Sequence, residues 1–306
     1  MLAMDPMNGG PKLILDHVTG RDEYSDGDVE EDLLSFVTSG KDLEEIVRQD
    51  DRWAVLYHLD QRRRNILEWF PFEKGTSLLE VGAGCGALTG LFCEKVDDVT
   101  AVEMSPRRAK IIVARYPRHS HLTVYAGSFE DVPLKGNFDY ITLIGVLEYA
   151  GRYRRSSDPY ADMLKRAASL LRPGGTLILA LENKFGLKYW AGAPEDHSGK
   201  LFQGLEGYPG EGDFRTFGKE ELTELLSSSG YTDLDFYYPY PDYKLPDRLY
   251  SDRALPSKGA FGTDSPSYDQ ERFTLFDEGL VSDGMIENKA FPLVSNSFLI
   301  TCRRST

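Results

Sequence analysis

The sequence predicts a doubly wound α/β fold, in which helices cover both faces of a parallel sheet, and three observations support this prediction. The apolar pair Leu78 and Leu79 leads directly into the glycine-rich segment 80–86 (E-V-G-A-G-C-G), and a helix-compatible stretch follows it. A second apolar run ends in Glu103, 21 residues after Gly82. Three more short apolar runs follow at intervals that leave room for helices. Strands that alternate with helices are typical of this fold class.

The segment before the first core strand is predicted to hold two helical stretches. Residues 1 to about 22 are expected to be poorly ordered, because glycine, proline and mixed polar residues dominate them. Residues 28–48 read as an acidic helix, and residues 53–69 as a second amphipathic helix that Pro71 ends. Because these helices precede the core, they are free to cap a ligand cleft.

Seven runs are predicted as strands. They lie at residues 78–80, 99–102, 122–125, 140–144, 176–181, 232–238 and 295–302. A helix at residues 218–226, which Gly230 ends, precedes the sixth run.

Two long segments interrupt this pattern, and both are rich in aromatic residues and glycine. Loops of this length inside a compact domain are usually lids or binding loops, so we predict that they form a substrate cap. The predicted organisation is a tail and helical cap (1–70), a cofactor-binding core (71–182), a first substrate-cap insertion (183–217), a core helix and strand (218–238), a second substrate-cap insertion (239–294) and a final core strand (295–306).

The glycine-rich segment indicates a nucleotide site. Glycines allow a tight turn and let a ligand lie against the main chain, and the helix that follows offers unpaired N–H groups. Gly82, Gly84 and Ala87 also fit the dinucleotide fingerprint. An acid at the place of Glu103 accepts ribose hydroxyls in NAD proteins as well as in methyltransferases. This segment alone therefore leaves both classes open.

Four motifs in register distinguish the two classes. They are E-V-G-A-G-C-G at residues 80–86, E-M-S-P at 103–106, G-S-F-E-D at 127–131 and L-R-P-G-G at 171–175. Their order resembles that of the class I S-adenosylmethionine (SAM) dependent methyltransferases, over residues 78–181 and the final strand. This resemblance implies a seven-stranded Rossmann-like sheet whose last two strands form an antiparallel pair at the edge. It also implies SAM as cofactor and S-adenosylhomocysteine as product.

The same resemblance implies a set of cofactor-binding residues. The set consists of Glu80, Gly82, Ala83, Gly84, Gly86, Glu103, Met104, Ser128, Phe129, Glu130, Gly145 and Leu147. Glu103 would bind the ribose hydroxyls, and Met104 would pack on adenine. The family often has an acid at the place of Ser128, so whether Ser128 or Glu130 reads adenine stays open.

A narrower resemblance covers nearly the whole chain. It rests on residues 182–192 (E-N-K-F-G-L-K-Y-W-A-G), 195–202 (E-D-H-S-G-K-L-F), 239–246 (P-Y-P-D-Y-K-L-P) and 24–28 (Y-S-D-G-D). These segments are similar to a bacterial subgroup of class I methyltransferases found with glycosyltransferases in cell-surface polysaccharide pathways. The likeness implies a role in polysaccharide biosynthesis, a sugar hydroxyl as acceptor and a glycosyltransferase as partner.

Four residues are predicted to take part in catalysis, namely His197, Glu182, Asp196 and Tyr149. His197 is the first candidate for general base, because the neighbouring Asp196 can hold its imidazole in one tautomer. Glu182 stands at the carboxyl end of a strand. Tyr149 takes the place of the histidine in the V-L-E-H of many small-molecule O-methyltransferases, and with a pKa near 10 a tyrosine is a poor base. Asp242 is the alternate base.

The residues predicted to bind the acceptor lie in the two insertions. They are Asn183, Tyr189, Trp190, Tyr208, Tyr240 and Asp242. Aromatic rings offer apolar faces on which the C–H groups of a sugar can stack, and carboxylates accept hydrogen bonds from hydroxyls. The same set would suit an amine or a phenolic natural product.

The composition excludes several kinds of protein. The net charge of −14 and the lack of a basic stripe argue against nucleic acid as partner. Three cysteines and five histidines show no metal-ligand spacing, so no metal is predicted. No apolar run is long enough to span a membrane, and the polar, acidic N-terminus is unlike a signal peptide. We expect a cytoplasmic protein.

The sequence thus predicts methyl transfer from SAM to a small-molecule or glycan hydroxyl, with O-methylation of a sugar as the leading hypothesis. An N- or carboxyl-methyltransferase of a peptide or secondary metabolite is the alternative. An NAD-dependent oxidoreductase would leave the G-S-F-E-D motif and the final strand pair without a role. A non-catalytic scaffold that binds a glycosyltransferase is disfavoured by the intact glycines and Glu103.

Overall fold

The computed structural model describes residues 9–18, 27–153, 156–210, 213–263, 266, 268 and 270–305. The motif at residues 24–28 therefore lies partly outside the described residues, as do residues 1–8 and 19–23 of the predicted tail. The chain divides into two compact units. The first consists of Met1–Leu143 with Leu170–Thr176, and the second of Ile144–Ser169 with Leu177–Thr306.

The first unit alternates strands with helices. Its elements are β1 (Lys12–His17), α1 (Val29–Thr38), α2 (Leu43–Gln49), α3 (Trp53–Leu59), a 3-10 helix (Gln61–Ile66), β2 (Ser77–Val81), α4 (Thr89–Lys95), β3 (Asp98–Glu103), α5 (Pro106–Arg115), β4 (Leu122–Gly127) and β5 (Phe138–Ile144). The strands lie in the order β1-β4-β3-β2-β5, and every neighbouring pair is parallel. This parallel core confirms the predicted α/β class.

The start of the chain differs from the prediction. Residues 12–17, which were expected to be poorly ordered, form β1 and pair in parallel with β4. The apolar run of Leu13, Ile14 and Leu15 explains the strand, because these side chains can be partly buried when the strand pairs at the edge of the sheet. The glycines and the proline on its N-terminal side made this short apolar run hard to recognise as a strand.

The N-terminal helices are shorter than predicted. The stretch 28–48 breaks into α1 and α2 at Gly40, whose φ is +71°, and the carboxylate of Asp42 caps α2 by accepting from the N–H of Glu44 at 3.0 Å. The stretch 53–69 becomes α3 and the 3-10 helix. A hydrophobic cluster joins these helices to the glycine-rich loop and to α5; its buried members are Leu33, Ile46, Val55, Leu59, Cys85 and Ile111.

The second unit combines the ends of the core strands with both insertions. Its elements are a 3-10 helix (Leu147–Tyr149), α6 (Ala150–Tyr153), α7 (Pro159–Leu170), β6 (Leu171–Glu182, whose first residues belong to the first unit), α8 (Leu187–Trp190), α9 (Lys219–Ser228), β7 (Tyr231–Tyr240), β8 (Arg248–Ser251), α10 (Glu278–Glu287), α11 (Phe291–Val294) and β9 (Ser297–Arg304). The predicted helix before the sixth strand is α9, and Gly230 follows it with φ +92°.

The predicted antiparallel pair is present as β7 and β9. However, β7 also pairs antiparallel with β8, a strand formed by the second insertion, so β7 is not an edge strand. The described residues contain nine strands, and the predicted count of seven was wrong because β1 and β8 were missed. The second compact unit joins both insertions with residues 144–169, and the six-part organisation along the chain stays a prediction.

Candidate functional site

The glycine-rich loop between β2 and α4 has a backbone that only glycine adopts readily. The φ angles of Gly82, Gly84 and Gly86 are +71°, +57° and +80°. The N–H groups of Gly82 and Ala83 both donate to the carbonyl of Val102, at 2.9 and 3.1 Å, and so hold the loop against β3. The loop is therefore a fixed turn at the carboxyl end of β2.

Glu103, the last residue of β3, ties the loop to the neighbouring strand. Its Oε2 accepts from the N–H of Gly84 at 2.7 Å, and its Oε1 accepts from the N–H of Ser105 at 2.9 Å. Burial raises the pKa of Glu103, although the charge of Arg108 and the two backbone hydrogen bonds act in the opposite direction. Each carboxylate oxygen keeps lone-pair capacity for a further donor, such as a ribose hydroxyl.

Glu80 lies one strand away and is also buried. Its Oε2 accepts from the hydroxyl of Thr89, the first residue of α4, at 2.5 Å. Burial raises the pKa of Glu80 to about 8, while the hydrogen bond from Thr89 acts to lower it. The residue therefore links the end of β2 to the start of the helix behind the loop.

The remaining predicted cofactor residues fall into two groups. Met104 follows β3 directly, and Ser128, Phe129 and Glu130 follow β4, where the Ser128 hydroxyl accepts from the N–H of Glu130 at 3.2 Å. Because β2, β3 and β4 are parallel neighbours, the first unit brings these residues to the same edge as the glycine-rich loop. The other two, Gly145 and Leu147, belong to the second unit, where Leu147 is fully buried.

Two contacts of the first unit's loop were not predicted. A side chain added at Gly84 would meet the ring of His58, with Cε1 at 3.6 Å, and Arg115 donates to the carbonyls of His58 and Cys85 at 2.8 and 3.3 Å. His58 comes from α3 and Arg115 from α5. No local motif connects either residue with the loop, so only the folded chain reveals them.

The second unit gathers three titratable side chains, which we call the acid–histidine cluster: Glu148, Glu182 and His197. Nε2 of His197 lies 3.9 Å from Oε1 of Glu148 and 4.0 Å from Oε2 of Glu182. The three side chains are 1, 1 and 5% exposed, respectively. Glu148 follows β5, Glu182 ends β6, and His197 comes from the first insertion. The structure thus joins two of the predicted catalytic residues.

Glu195 orients His197, and the prediction that Asp196 does so was wrong. Oε1 of Glu195 lies 2.9 Å from Nδ1 of His197, while its Oε2 accepts from the N–H groups of His197 and Ser198 at 2.8 and 2.7 Å. The carboxylate reaches the imidazole because it caps the turn in which both residues lie. With Nδ1 engaged by Glu195, Nε2 is the nitrogen that faces the two glutamates.

Asp196 instead belongs to a buried network of opposite charges. Its Oδ1 accepts from the ammonium groups of Lys188 and Lys244, at 3.0 and 2.6 Å, and its Oδ2 accepts from the hydroxyl of Tyr189. Lys244 also lies 2.9 Å from Oε1 of Glu182. Although burial opposes it, the charges of the two lysines hold the pKa of Asp196 far below its usual range. Lys244 was not predicted.

The pKa values of the acid–histidine cluster are raised. Burial raises the pKa of Glu148 to about 8, the charge of Glu182 adds to this, and His197 opposes it. For His197, burial alone would lower the pKa, but the hydrogen bond to Glu195 and the charges of Glu182 and Glu148 raise it to about 9. Near neutral pH the cluster therefore retains protons that it can exchange.

Most of the predicted acceptor residues make contacts within the second unit. Asn183 is buried, and its amide donates to the carbonyls of Leu293 and Ser295 at 2.9 and 2.8 Å, so both of its N–H groups are used. Asp242 accepts from the N–H of Lys244 at 2.8 Å and shapes the turn after β7. These two residues therefore have structural contacts that their place in the sequence did not indicate.

The predicted aromatic residues are divided between buried and exposed positions. Tyr208 packs inside, where its hydroxyl lies 3.2 Å from Oε1 of Glu195. Tyr149 lies edge-on to His197, with ring centroids 5.0 Å apart. Trp190 is 49% exposed, and Tyr240 packs on Phe261 with centroids 4.5 Å apart. Only Tyr149 and Tyr208 of this group thus border His197 or its partner.

The fold and the glycine-rich loop that Glu103 holds define a nucleotide-binding α/β protein of the methyltransferase class. Residues 55–235 match the family model described as a methyltransferase domain. This match covers more than half of the chain, so the chain belongs to the methyltransferase domain family. The chain thus carries a SAM-dependent methyltransferase domain, whose cofactor is SAM.

Individual relatives are more distant. A ubiquinone biosynthesis O-methyltransferase of Xanthomonas campestris is 33% identical over 113 residues, which are 36% of this chain and 44% of that protein. The chain thus matches less than half the length of the curated relatives.

Solved structures agree with the fold alone. The methyltransferase in a complex with the Trm112 activator of Haloferax volcanii is 17% identical with a TM-score of 0.51, over 94% of this chain and all of that one. The N-methyltransferase NodS of Bradyrhizobium japonicum, crystallised with S-adenosylhomocysteine, is 15% identical with a TM-score of 0.48, over 88% of this chain and 99% of that one. Within the described part of the chain, no helix has the length and apolar character needed to cross a membrane.

Proposed function

We propose that the protein transfers a methyl group from SAM to a hydroxyl of a small-molecule or glycan acceptor. The acid–histidine cluster carries this proposal. It offers a buried imidazole, fixed through Nδ1 by Glu195, and two carboxylates of which both oxygens of Glu148 and Oε2 of Glu182 accept no hydrogen bond from any described residue. The hydroxyl of an acceptor could donate a hydrogen bond to such a carboxylate. The same hydroxyl must lose its proton during methyl transfer, which the cluster could accept.

The first unit would bind the cofactor. Glu103 would accept the ribose hydroxyls while it holds the N–H of Gly84, and Met104 would pack on adenine. Glu80 and the loop glycines would line the ribose and methionine end. Ser128, Phe129 and Glu130 would frame the adenine, and Ala83, Gly145 and Leu147 complete the proposed set. This assignment is supported by the shared position of the first-unit residues at the carboxyl ends of β2, β3 and β4.

The proposed reaction is a direct displacement at the methyl carbon. The acceptor oxygen forms a bond to this carbon, the bond from carbon to sulfur breaks, and S-adenosylhomocysteine leaves. The hydroxyl proton passes to the acid–histidine cluster, either to Nε2 of His197 or to a carboxylate of Glu148 or Glu182. The raised pKa values of His197 and Glu148 mean that their deprotonated forms are stronger bases than an ordinary imidazole or carboxylate. Each could therefore accept the hydroxyl proton.

The acceptor would be a sugar or a related polyol. The similarity of residues 182–192, 195–202 and 239–246 to methyltransferases of polysaccharide pathways supports this, and a glycosyltransferase would then be the partner that supplies or extends the glycan. The name of the Xanthomonas relatives supports transfer to oxygen. The two insertions, residues 183–217 and 239–294, would form the acceptor side.

An amine is the second candidate acceptor, and the charge of the second unit favours it. Five neighbouring acidic side chains, those of Glu148, Glu182, Glu195, Asp196 and Asp242, outnumber three basic ones, Lys188, Lys244 and His197. Such an excess of negative charge attracts an ammonium group and repels a carboxylate. Carboxyl methylation is therefore the least favoured of the three transfers.

A transfer assay with labelled SAM tests the proposal. The full chain would be incubated with methyl-labelled SAM and with separate panels of sugars and nucleotide sugars, phenols, and amines. We expect labelled product in the sugar panel, and we expect H197Q to bind SAM normally in calorimetry but to lose transfer. Labelled amines alone would favour the second candidate. If no panel is methylated while SAM binds, the acceptor assignment is wrong.

A further inference from the structure

The acid–histidine cluster has the donor set of a metal site. One donor atom from each of Glu148, Glu182 and His197 lies within 4.8 Å of the others. The two distances from Nε2 to the carboxylate oxygens, 3.9 and 4.0 Å, are too long for hydrogen bonds. They approach the separation of two ligands that share one cation at 2.1 to 2.3 Å from each, as first-row metals do.

The carboxylates are buried and lack hydrogen-bond donors. Among the described residues, none donates a hydrogen bond to either oxygen of Glu148 or to Oε2 of Glu182, and the two residues are 1 and 0% exposed. Lys244 forms an ion pair with Oε1 of Glu182. The other oxygen, Oε2, faces His197 and takes no part in this pair. A buried carboxylate is costly unless a cation or a donor compensates it, and the His197 ring is too far from both oxygens for a hydrogen bond, so the position between these side chains suits a bound cation.

The surroundings of His197 are those of a metal-bound imidazole. A histidine that ligates a metal usually donates its other ring N–H to a carboxylate, which fixes the ring and its tautomer. Glu195 fills this role at Nδ1, and the backbone N–H groups of His197 and Ser198 hold Glu195 in turn. The nitrogen left for a metal is the one that faces both glutamates.

We propose that Glu148, Glu182 and His197 bind one divalent first-row metal cation. Two carboxylates and one imidazole suit Mn²⁺, Fe²⁺ or Zn²⁺, and three protein ligands leave positions for an acceptor oxygen. That the cation holds the acceptor rests on the proposed function, whereas the metal site itself does not. When the cation is bound, Nε2 of His197 is a ligand, and the hydroxyl proton passes instead to a carboxylate oxygen of Glu148 or Glu182 that does not bind the cation. The spacing of the ligands along the chain gave no sign of it, because they come from three separate elements.

A second group of metal-ligating side chains in the first unit provides a control. Cys93, His119 and His121 also lie within 4.8 Å of one another. A thiol favours Zn²⁺ over Mn²⁺, so Mn²⁺ is the probe that reports the carboxylate-rich cluster. H119A would remove a ligand of this group without touching the second unit.

The experiment is a Mn²⁺ titration of the full chain after dialysis against a chelator, followed by the electron paramagnetic resonance signal of free Mn²⁺. We expect one Mn²⁺ per chain in the wild type, in H119A and in E221Q, whose glutamate pairs with Lys184 and Arg215. We expect E148Q and H197Q to raise the dissociation constant more than 100-fold, and E195Q to raise it 10- to 100-fold. Unchanged SAM binding would show that the variants are folded.

Three results would overturn the inference: no bound Mn²⁺ in the wild type, affinity unchanged in E148Q and H197Q, or loss of binding in H119A. The outcome is separable from that of the proposed function. Mn²⁺ binding without methylation of any acceptor would contradict only the proposed function. Methylation that persists in chelator, from a protein that binds no Mn²⁺, would contradict only the metal site.

Discussion

Glu195 is predicted to keep His197 protonated, and E195Q tests this directly. The two side chains are 4 and 5% exposed, and Oε1 of Glu195 lies 2.9 Å from Nδ1 of His197, so water screens the pair little. Burial alone would lower the pKa of His197, yet the hydrogen bond to Glu195 and the charges of Glu182 and Glu148 raise it to about 9. Glutamine keeps the shape of the side chain and removes its charge.

The size of the effect follows from the hydrogen bond. A hydrogen bond to a charged group contributes roughly 1.5–3 kcal/mol, and one pH unit of pKa corresponds to about 1.4 kcal/mol. E195Q should therefore lower the pKa of His197 by roughly 1 to 2 pH units. The folded-state pKa of about 9 exceeds the ordinary value of 6.5. His197 thus stabilises the fold fully below pH 6.5, by roughly 3 kcal/mol, and this contribution is lost as the pH rises through 9.

The assay is a nuclear magnetic resonance titration of histidine-labelled protein, with H197Q to assign the His197 signal. We expect a midpoint near pH 9 in the wild type and in E221Q, and a lower midpoint in E195Q. Urea unfolding should show a larger loss of stability for E195Q at pH 6 than at pH 9. A wild-type midpoint near 6.5, or one that E195Q leaves in place, would refute the reasoning.

Three further predictions concern the cofactor, the base and the packing. E103Q should weaken SAM binding about 10- to 100-fold in calorimetry, since it removes a charged acceptor worth roughly 1.5–3 kcal/mol; unchanged affinity would contradict the role of Glu103. The kcat/KM for transfer should rise about tenfold per pH unit toward pH 9, where His197 loses its proton, and a flat profile would exclude it as base. G90A should destabilise by roughly 1–3 kcal/mol in thermal melts, because its Cβ would lie 2.5 Å from the Tyr116 ring, whereas G284A, with open space around it, should be neutral or stabilising.

The core of the fold could be predicted because its signals are local. Each core strand is a short apolar run; β3 ends in Glu103, and Glu80 is the last residue but one of β2, beside turns that the sequence marks clearly. The missed strands lack such marks. β1 lies between glycine-rich and polar residues, and β8 is a four-residue strand that forms only because β7 offers it an unpaired edge.

The first-unit part of the cofactor site was predictable for the same reason. Parallel neighbours bring their carboxyl ends to one edge, so Glu103 was expected beside the loop, and its contact with Gly84 confirms this proximity. Its cofactor role stays a prediction. The contribution of His58 was not foreseen, because it depends on how α3 packs against the loop rather than on any residue near it in sequence.

The acid–histidine cluster shows where adjacency in sequence misleads. Asp196 is the nearest carboxylate to His197 along the chain, yet two lysines from distant segments compete for it. In a buried setting an ion pair with a full ammonium charge outweighs a hydrogen bond to an imidazole, which carries its charge only when protonated. Asp196 therefore pairs with Lys188 and Lys244, and His197 is left to Glu195, which the turn already holds in place.

This division of partners has a functional consequence. If Asp196 oriented His197, the two lysines would lack their main counter-ion, and Glu182 alone would have to compensate Lys244. Because Asp196 takes both lysines, one oxygen of Glu182 and one oxygen of Glu148 face His197 rather than a lysine. The buried ion pairs thus keep Lys188, and most of Lys244, away from the carboxylate oxygens that face His197, and both the proposed acceptor chemistry and the proposed metal site require these oxygens to be accessible to a ligand.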